Sequence, residues 1–138
     1  MQRNRKWSEV DIEKLAAEVI SRNGKFHIMI SFMAIALMPA LVMDRNGRLI
    51  YMNKRAEEYW GVKITSVIGQ EFVEILHLNE KDAAQMQRES RIVMAGKEPR
   101  VFLECYGKPT PRQSVLKFPF TDDDDDILVG AFVLPHQL

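Results

Sequence analysis

The chain has 138 residues, 46% hydrophobic and 28% charged, with 19 Lys and Arg balanced by 19 Asp and Glu. That length suits one domain whose core needs no metal or disulfide staple, and the balance leaves no net field to attract nucleic acid or an anionic membrane. A single cysteine, Cys105, excludes an internal disulfide, a CxxC motif and a multi-cysteine zinc site.

Arg3, Arg5 and Lys6 make a basic start that leads into WSEVDIEKLAAEVISRNG (7–24), which reads as a charged helix and not as the apolar core of a signal peptide. Ser8 suits the N-cap with Asp11 three residues on, and Trp7 can fold over Ile12 as a hydrophobic staple. Ile12, Leu15, Ala16 and Val19 follow the i, i+3, i+4, i+7 stripe, and Gly24 suits the stop. A stripe this narrow buries against one partner, either its own domain or a second copy. Ile12, Leu15 and Val19 are therefore the candidate dimer-helix residues.

The apolar run IMISFMAIALMPALVM (28–43) is shorter than the roughly 20 residues a membrane span needs, and Pro39 interrupts it. It reads as a helix over 26–38, apolar on nearly every face and so buried on several sides, running into a strand. Strands at 40–43 and 48–52 flank Asp44-Arg45-Asn46-Gly47, where Asn46 and Gly47 both tolerate the positive φ of a hairpin turn. Asn53 caps the helix KRAEEYW (54–60), whose apolar side carries Ala56, Tyr59 and Trp60 and which stops at Gly61.

A short helical stretch with Val67, Ile68, Phe72, Ile75 and Leu76 is interrupted by Gly69. A longer helix over 80–96 shows Ala83, Met86, Ser90 and Val93 on one face. After Pro99 the segments VFLECY (101–106), SVLKFPF (114–120) and ILVGAFVL (127–134) are rich in β-branched and aromatic residues and read as strands. This order predicts an α+β domain, an antiparallel sheet with its helices collected on one side.

Three stretches carry a family resemblance: LMPALVMDRNGRLIYMNKRAEEYWGVKITSVIGQEF (37–72), EILHLNEKD (74–82) and TDDDDDILVGAFV (121–133). They are similar to the opening hairpin, Asn-led helix, "hIGk" turn, His-Pro-Glu-Asp position and last hairpin of PAS domains, the small sensory modules of bacterial signalling proteins. The resemblance implies a five-stranded antiparallel sheet with helices on one side, preceded by an N-terminal amphipathic helix. Residues 1–36 would be a helical extension and expected dimerisation element, and 37–138 the sensory domain. It implies that the first hairpin supplies the two central strands and that the Asn53-capped helix peels off to wall a cavity.

The resemblance implies a domain that can hold haem, flavin, a chromophore, a small metabolite or nothing; which cofactor is left open, but flavin-adduct photochemistry and haem are not expected on the following residues. Flavin-photosensing members carry an Asn-Cys-Arg motif on the helix that reads VIGQEFVEIL (67–76) here, and the cysteine is absent. Haem-binding members place an axial His on the long helix; residues 80–96 contain none, and His77 precedes it as a loop-stabilising residue. His27 and His136 have no partner spacing, and Asp122 to Asp126 lack the Gly and Glu of a calcium loop and read as a solvated hairpin tip.

The methionines Met29, Met33, Met38, Met43, Met52, Met86 and Met94 fall in structured elements, as a loosely specified core or the lining of a pocket. Pocket walls are expected from Phe72, Ile75, Leu76 and Met86 on the helices, facing Leu103, Leu116 and Phe118 on the sheet. Glu57-Glu58 and Glu71/Glu74 read as helix-surface pairs, and the chain offers no nucleophile, acid–base or metal constellation, so an enzyme is not expected. The expected function is a cytoplasmic sensory or regulatory module. It would bind a small ligand, or signal through protein contacts, as a homodimer whose output lies in a partner or domain outside this chain. The alternative is a ligand-free homodimerisation module.

Overall fold

The computed structural model describes residues 24–104 and 113–135, with Ser8 and Lys14 besides. The expected dimer helix with Ile12, Leu15 and Val19 lies outside the described residues, as do Cys105 and His136. In chain order the elements are α1 (Lys25–Ile35), β1 (Ala40–Asp44), β2 (Leu49–Met52), α2 (Lys54–Trp60), α3 (Ile64–Val67) and α4 (Phe72–Ile75), then α5 (Glu80–Gly96), β3 (Arg100–Glu104), β4 (Gln113–Thr121) and β5 (Ile127–Val133).

The first turn is set by a side chain. Asp44 Oδ1 accepts from the backbone N–H groups of Asn46 at 2.8 Å and Arg48 at 2.9 Å, while Gly47 N–H donates to Asp44 O at 3.0 Å. Gly47 alone of the pair takes a positive φ, 80°, so the turn is not the two-residue form with both residues left-handed that Asn-Gly predicts.

All strand pairings are antiparallel, in the order β2-β1-β5-β4-β3. The centre is β5, and β2 lies at an edge. This corrects the expectation that the opening hairpin is central: the last strand docks against β1 over Ala40–Asp44 and against β4 over Val115–Thr121. Pro119 sits within β4 without breaking the ladder, because β3 pairs only as far as Lys117 and leaves no neighbour on that side to require a donor.

Each strand sends alternate side chains to opposite faces. On one face Leu41, Met43, Val115, Ala131 and Val133 bury against α2 to α5. On the other, Ala40, Val42 and Leu128 bury under Met33 of α1, beside the stacked rings of Phe118, Phe120 and Phe132. Gly130 lies directly opposite Phe118 on that second face, and a Cβ there would collide with the Phe118 ring. The expected sheet thus carries α2 to α5 on one face, while the preceding helix α1 lies across the other.

Helix α1 is buried on one side only: Met33 is fully covered, but Phe32 is 65% exposed, Ile35 77% and Leu37 81%. The expectation of burial on several sides is therefore not met by the described residues. Phe32 and Ile35 face away from the one layer the sheet provides.

The same alternation predicts an unequal response to truncation. Leu41→Ala, at a buried core position, is expected to cost about 2–5 kcal/mol, whereas Leu103→Ala, 59% exposed on β3, should stay within about 0.5 kcal/mol. Urea denaturation of the two variants checks the facing of these strands.

Candidate ligand pocket

The pocket begins at Asn53. Its Oδ1 accepts from Ala56 N–H at 2.9 Å, which caps α2, and from Ala40 N–H at 3.0 Å in β1. Its Nδ2 donates to the carbonyls of Met33 at 2.9 Å and Met38 at 3.0 Å. With all four bonds made and 2% exposure, Asn53 fixes where α2 leaves the sheet and so where Tyr59 and Trp60 point.

Tyr59 and Trp60 meet edge to face with ring centroids 4.8 Å apart, and Trp60 meets Phe72 in the same way at 5.2 Å. Together with Leu76 and Met86 they wall a cavity of about 30 Å³ whose floor is Leu41, Met43, Val115, Ala131 and Val133. That volume is room for about two water-sized groups.

One side of the cavity is charged. Glu104 at the end of β3 and Lys117 on β4 face inward beside Gln113, and Glu89 of α5 reaches them from behind. Lys117 Nζ donates to Glu89 Oε1 at 3.0 Å and lies 2.8 Å from Glu104 Oε2. The three side chains are 2%, 6% and 9% exposed for Lys117, Glu89 and Glu104 respectively. Lys117 also stands 5.8 Å from the centre of the Phe102 ring.

Two carboxylates share one ammonium in this low-dielectric setting, so they cannot both ionise cheaply. Burial, reinforced by hydrogen bonding with Glu89 and the charge of that neighbour, pushes Glu104 up from 4.5 to about 8 against the opposing pull of Lys117. Burial alone would also raise Glu89. Hydrogen bonding from Glu104 and the charge of Lys117 outweigh it and hold Glu89 below its ordinary value. The proton near neutral pH therefore belongs to Glu104, and the cluster is close to neutral overall. Tyr59 is raised above 10.0 by burial and by the Glu104 charge.

This arrangement gives stability a pH slope of definite sign. Between about 4.5 and about 8 the folded chain keeps a proton on Glu104 that the unfolded chain has lost. Stability is therefore expected to fall as pH rises through that window, by about 1.4 kcal/mol per pH unit at most, and to level off above it. Glu89 works in the opposite sense, contributing stability that is lost as pH falls through its lowered value. Urea melts of the native chain and of Glu104→Gln check this: the variant should flatten the slope, and a flat native profile would refute the assignment.

Of the residues expected at the pocket, Phe72, Leu76 and Met86 line the cavity, and Ile75 packs half-buried in the surrounding core without reaching it. Leu103, Leu116 and Phe118 do not face the helices. Leu103 is exposed and Phe118 packs in the opposite core, while Leu116 pairs with Phe132 on that same outer side. The expected facing was off by one residue in both strands, and the inward positions belong to Glu104, Val115 and Lys117. His77 is exposed and turns the chain after α4 at φ 54°. Asp122 to Asp126 include a working turn as well as a solvated tip: Asp122 Oδ1 accepts from Asp124 N–H and Asp126 N–H, and Asp123 Oδ1 accepts from Lys25 N–H, each at 2.9 Å.

The family model described as the PAS fold matches residues 37–136. No curated protein sequence matches the chain significantly. Among solved structures, the PAS domain of BvgS from Bordetella pertussis is 20% identical with a TM-score of 0.60, covering 83% of this chain and 90% of that one. The PAS domain of an HTR-like protein from Haloarcula marismortui is 20% identical with a TM-score of 0.59, covering 91% and 98%. The PAS domain of the quorum-sensing receptor RpfR from Cronobacter turicensis, solved with C12:0, is 18% identical with a TM-score of 0.53, covering 71% and 93%. At these identities the likeness is one of fold.

Proposed function

The chain belongs to the PAS family, and from that membership we propose that it is the sensory or regulatory module of a bacterial signal-transduction protein, taking a small ligand between its helices and its sheet. The observation that carries the reading is the cavity walled by Tyr59, Trp60 and Phe72 and bounded on one side by the buried Glu104–Lys117–Glu89 cluster. An apolar pocket with a few convergent polar groups of perturbed acidity is the usual form of a small-molecule site. The role is regulatory and not catalytic. A ligand there would act by population shift, because Glu89 and Lys117 tie α5 to β4 and a molecule that competes for these charges favours a different packing of helix on sheet. The response passes to a partner protein or output domain, in the cytoplasm. Among the described residues no helix is long and apolar enough to cross a membrane.

Native mass spectrometry of the protein as purified, compared with its denatured mass, tests the reading. A stoichiometric non-covalent excess is expected. A bare mass, together with no ligand-induced change in thermal stability across a metabolite panel, overturns it.

A second reading is favoured by one observation: Phe32 and Ile35 of α1, and Leu37 just beyond its end, are exposed. A face of this kind fits homodimerisation without any ligand. Phe32→Asp is then expected to convert a dimer into a folded monomer, measured by analytical ultracentrifugation.

A further inference from the structure

The pocket's charge count selects a ligand class. Glu89 and Glu104 carry two carboxylates against the single ammonium of Lys117, all three nine-tenths or more buried. Lys117 is already engaged by both, at 3.0 and 2.8 Å, so an incoming carboxylate or phosphate would find no free cation among the described residues of this wall and two carboxyl groups behind it. Acceptor capacity is left on Glu104: the Lys117 ammonium at 2.8 Å occupies one direction at Oε2, a carboxylate offers about four lone-pair sites, and Glu104 lines the cavity. Across the same cavity stand Tyr59, Trp60 and Phe72, whose ring faces attract cations and whose surfaces cover short apolar groups.

Resting on the ligand-pocket reading above, we infer that the site takes a small primary amine in its protonated form, with the ammonium at Glu104 and the carbon body against the aromatic wall. Size agrees, since a cavity of about 30 Å³ has room for a few non-hydrogen atoms and none for a fatty chain. Desolvating an ammonium is costly, and only a buried carboxylate with an unused lone pair offsets it.

On its own the cluster offsets its surplus negative charge by keeping a proton on Glu104. The bound amine takes over that role, and one proton leaves the carboxyl for solvent. Binding is therefore coupled to pH. Below the acidity of Glu104, which burial and Glu89 set at about 8, the amine competes with the proton. Its apparent affinity should rise about tenfold per pH unit until that value is reached and then level. The alkylamine stays protonated throughout. Lys117, Gln113 and Tyr59 line the same space and Glu89 stands behind Lys117; Lys117 repels the ammonium, and Glu89 is neutralised by Lys117.

The test uses three probes of nearly one shape, ethylamine, ethanol and acetate. Each is titrated into the whole chain at about pH 6, 7 and 8 and followed by amide and side-chain NMR shifts around Trp60 and Lys117. Ethylamine is expected to bind saturably with the stated pH dependence, at least about tenfold tighter than ethanol at about pH 8, with acetate not binding. Glu104→Gln keeps the side chain's shape and should abolish both the preference and the pH dependence. Ethanol or acetate binding as tightly as ethylamine overturns the amine assignment while leaving the pocket reading intact. So does a Glu104→Gln variant with unchanged amine affinity. If none of the probes binds, the assignment falls, and the native mass measurement decides separately whether the pocket holds some other ligand.

Discussion

Lys117→Met should destabilise the chain by about 3–5 kcal/mol at neutral pH, because it strands the Glu89 carboxylate in the core without its counter-ion. The loss would not measure the net worth of the cluster. Replacing Glu89, Glu104 and Lys117 together by apolar residues of matching size is expected to restore most of the stability or exceed it, since desolvating the Glu89–Lys117 ion pair and the Glu104 carboxyl is itself expensive. Equilibrium urea denaturation of the single and triple variants reads both effects. A cost below about 1 kcal/mol for the single variant would mean that water reaches the cluster and that it behaves as a surface pair. A stable but ligand-blind triple variant would show that the charges are kept for recognition and not for folding.

The second large effect is expected at Asn53. If the side chain served only as the cap of α2, Asn53→Ala would cost about 1 kcal/mol. It also holds Ala40 N–H and the Met33 carbonyl, both buried, and the partly buried Met38 carbonyl, and leaving such buried groups unpaired costs about 1–3 kcal/mol each before relaxation. A total of about 3–5 kcal/mol is therefore expected, accompanied by faster amide exchange in α1. A measured cost near 1 kcal/mol with α1 protection unchanged would reduce Asn53 to a simple cap.

These two side chains mark the limits of what the sequence discloses. Asn53 was legible as a helix start because capping is local: the acceptor and the N–H it serves lie three residues apart. Its amide nitrogen, which reaches back fifteen and twenty residues, has no local signature. Helix 54–60 was likewise legible to its end at Gly61, and helix 80–96 from its stripe, although its caps, Asn79 and the left-handed Lys97, were not read.

The facing of β3 and β4 was not. In SVLKFPF the outward set Leu116, Phe118 and Phe120 is more apolar than the inward set Val115, Lys117 and Pro119, so a rule that sends apolar residues to the main core selects the wrong face. Both faces of β4 are covered, which removes the contrast that alternation relies on, and β3 leaves Val101 and Leu103 exposed on its outer side. A usable signal was present in composition: Lys117 stands alone in an apolar strand, as does Glu104 in its own, with opposite sign. A lone charge inside a strand that packs on both sides has to be paired, and the partners were in the sequence to be matched.

Helix α1 is held near both ends, by Asp123 on the backbone N–H of Lys25 and by Asn53 on the carbonyl of Met33. Mechanically it is a beam clamped at two supports. A twist imposed on the chain ahead of residue 24 cannot be taken up as slack; it arrives as torque at two distant places, the tip joining β4 to β5 and the junction of β2 with α2. The central strand β5 starts at the first of these places, and the pocket's aromatic wall starts at the second.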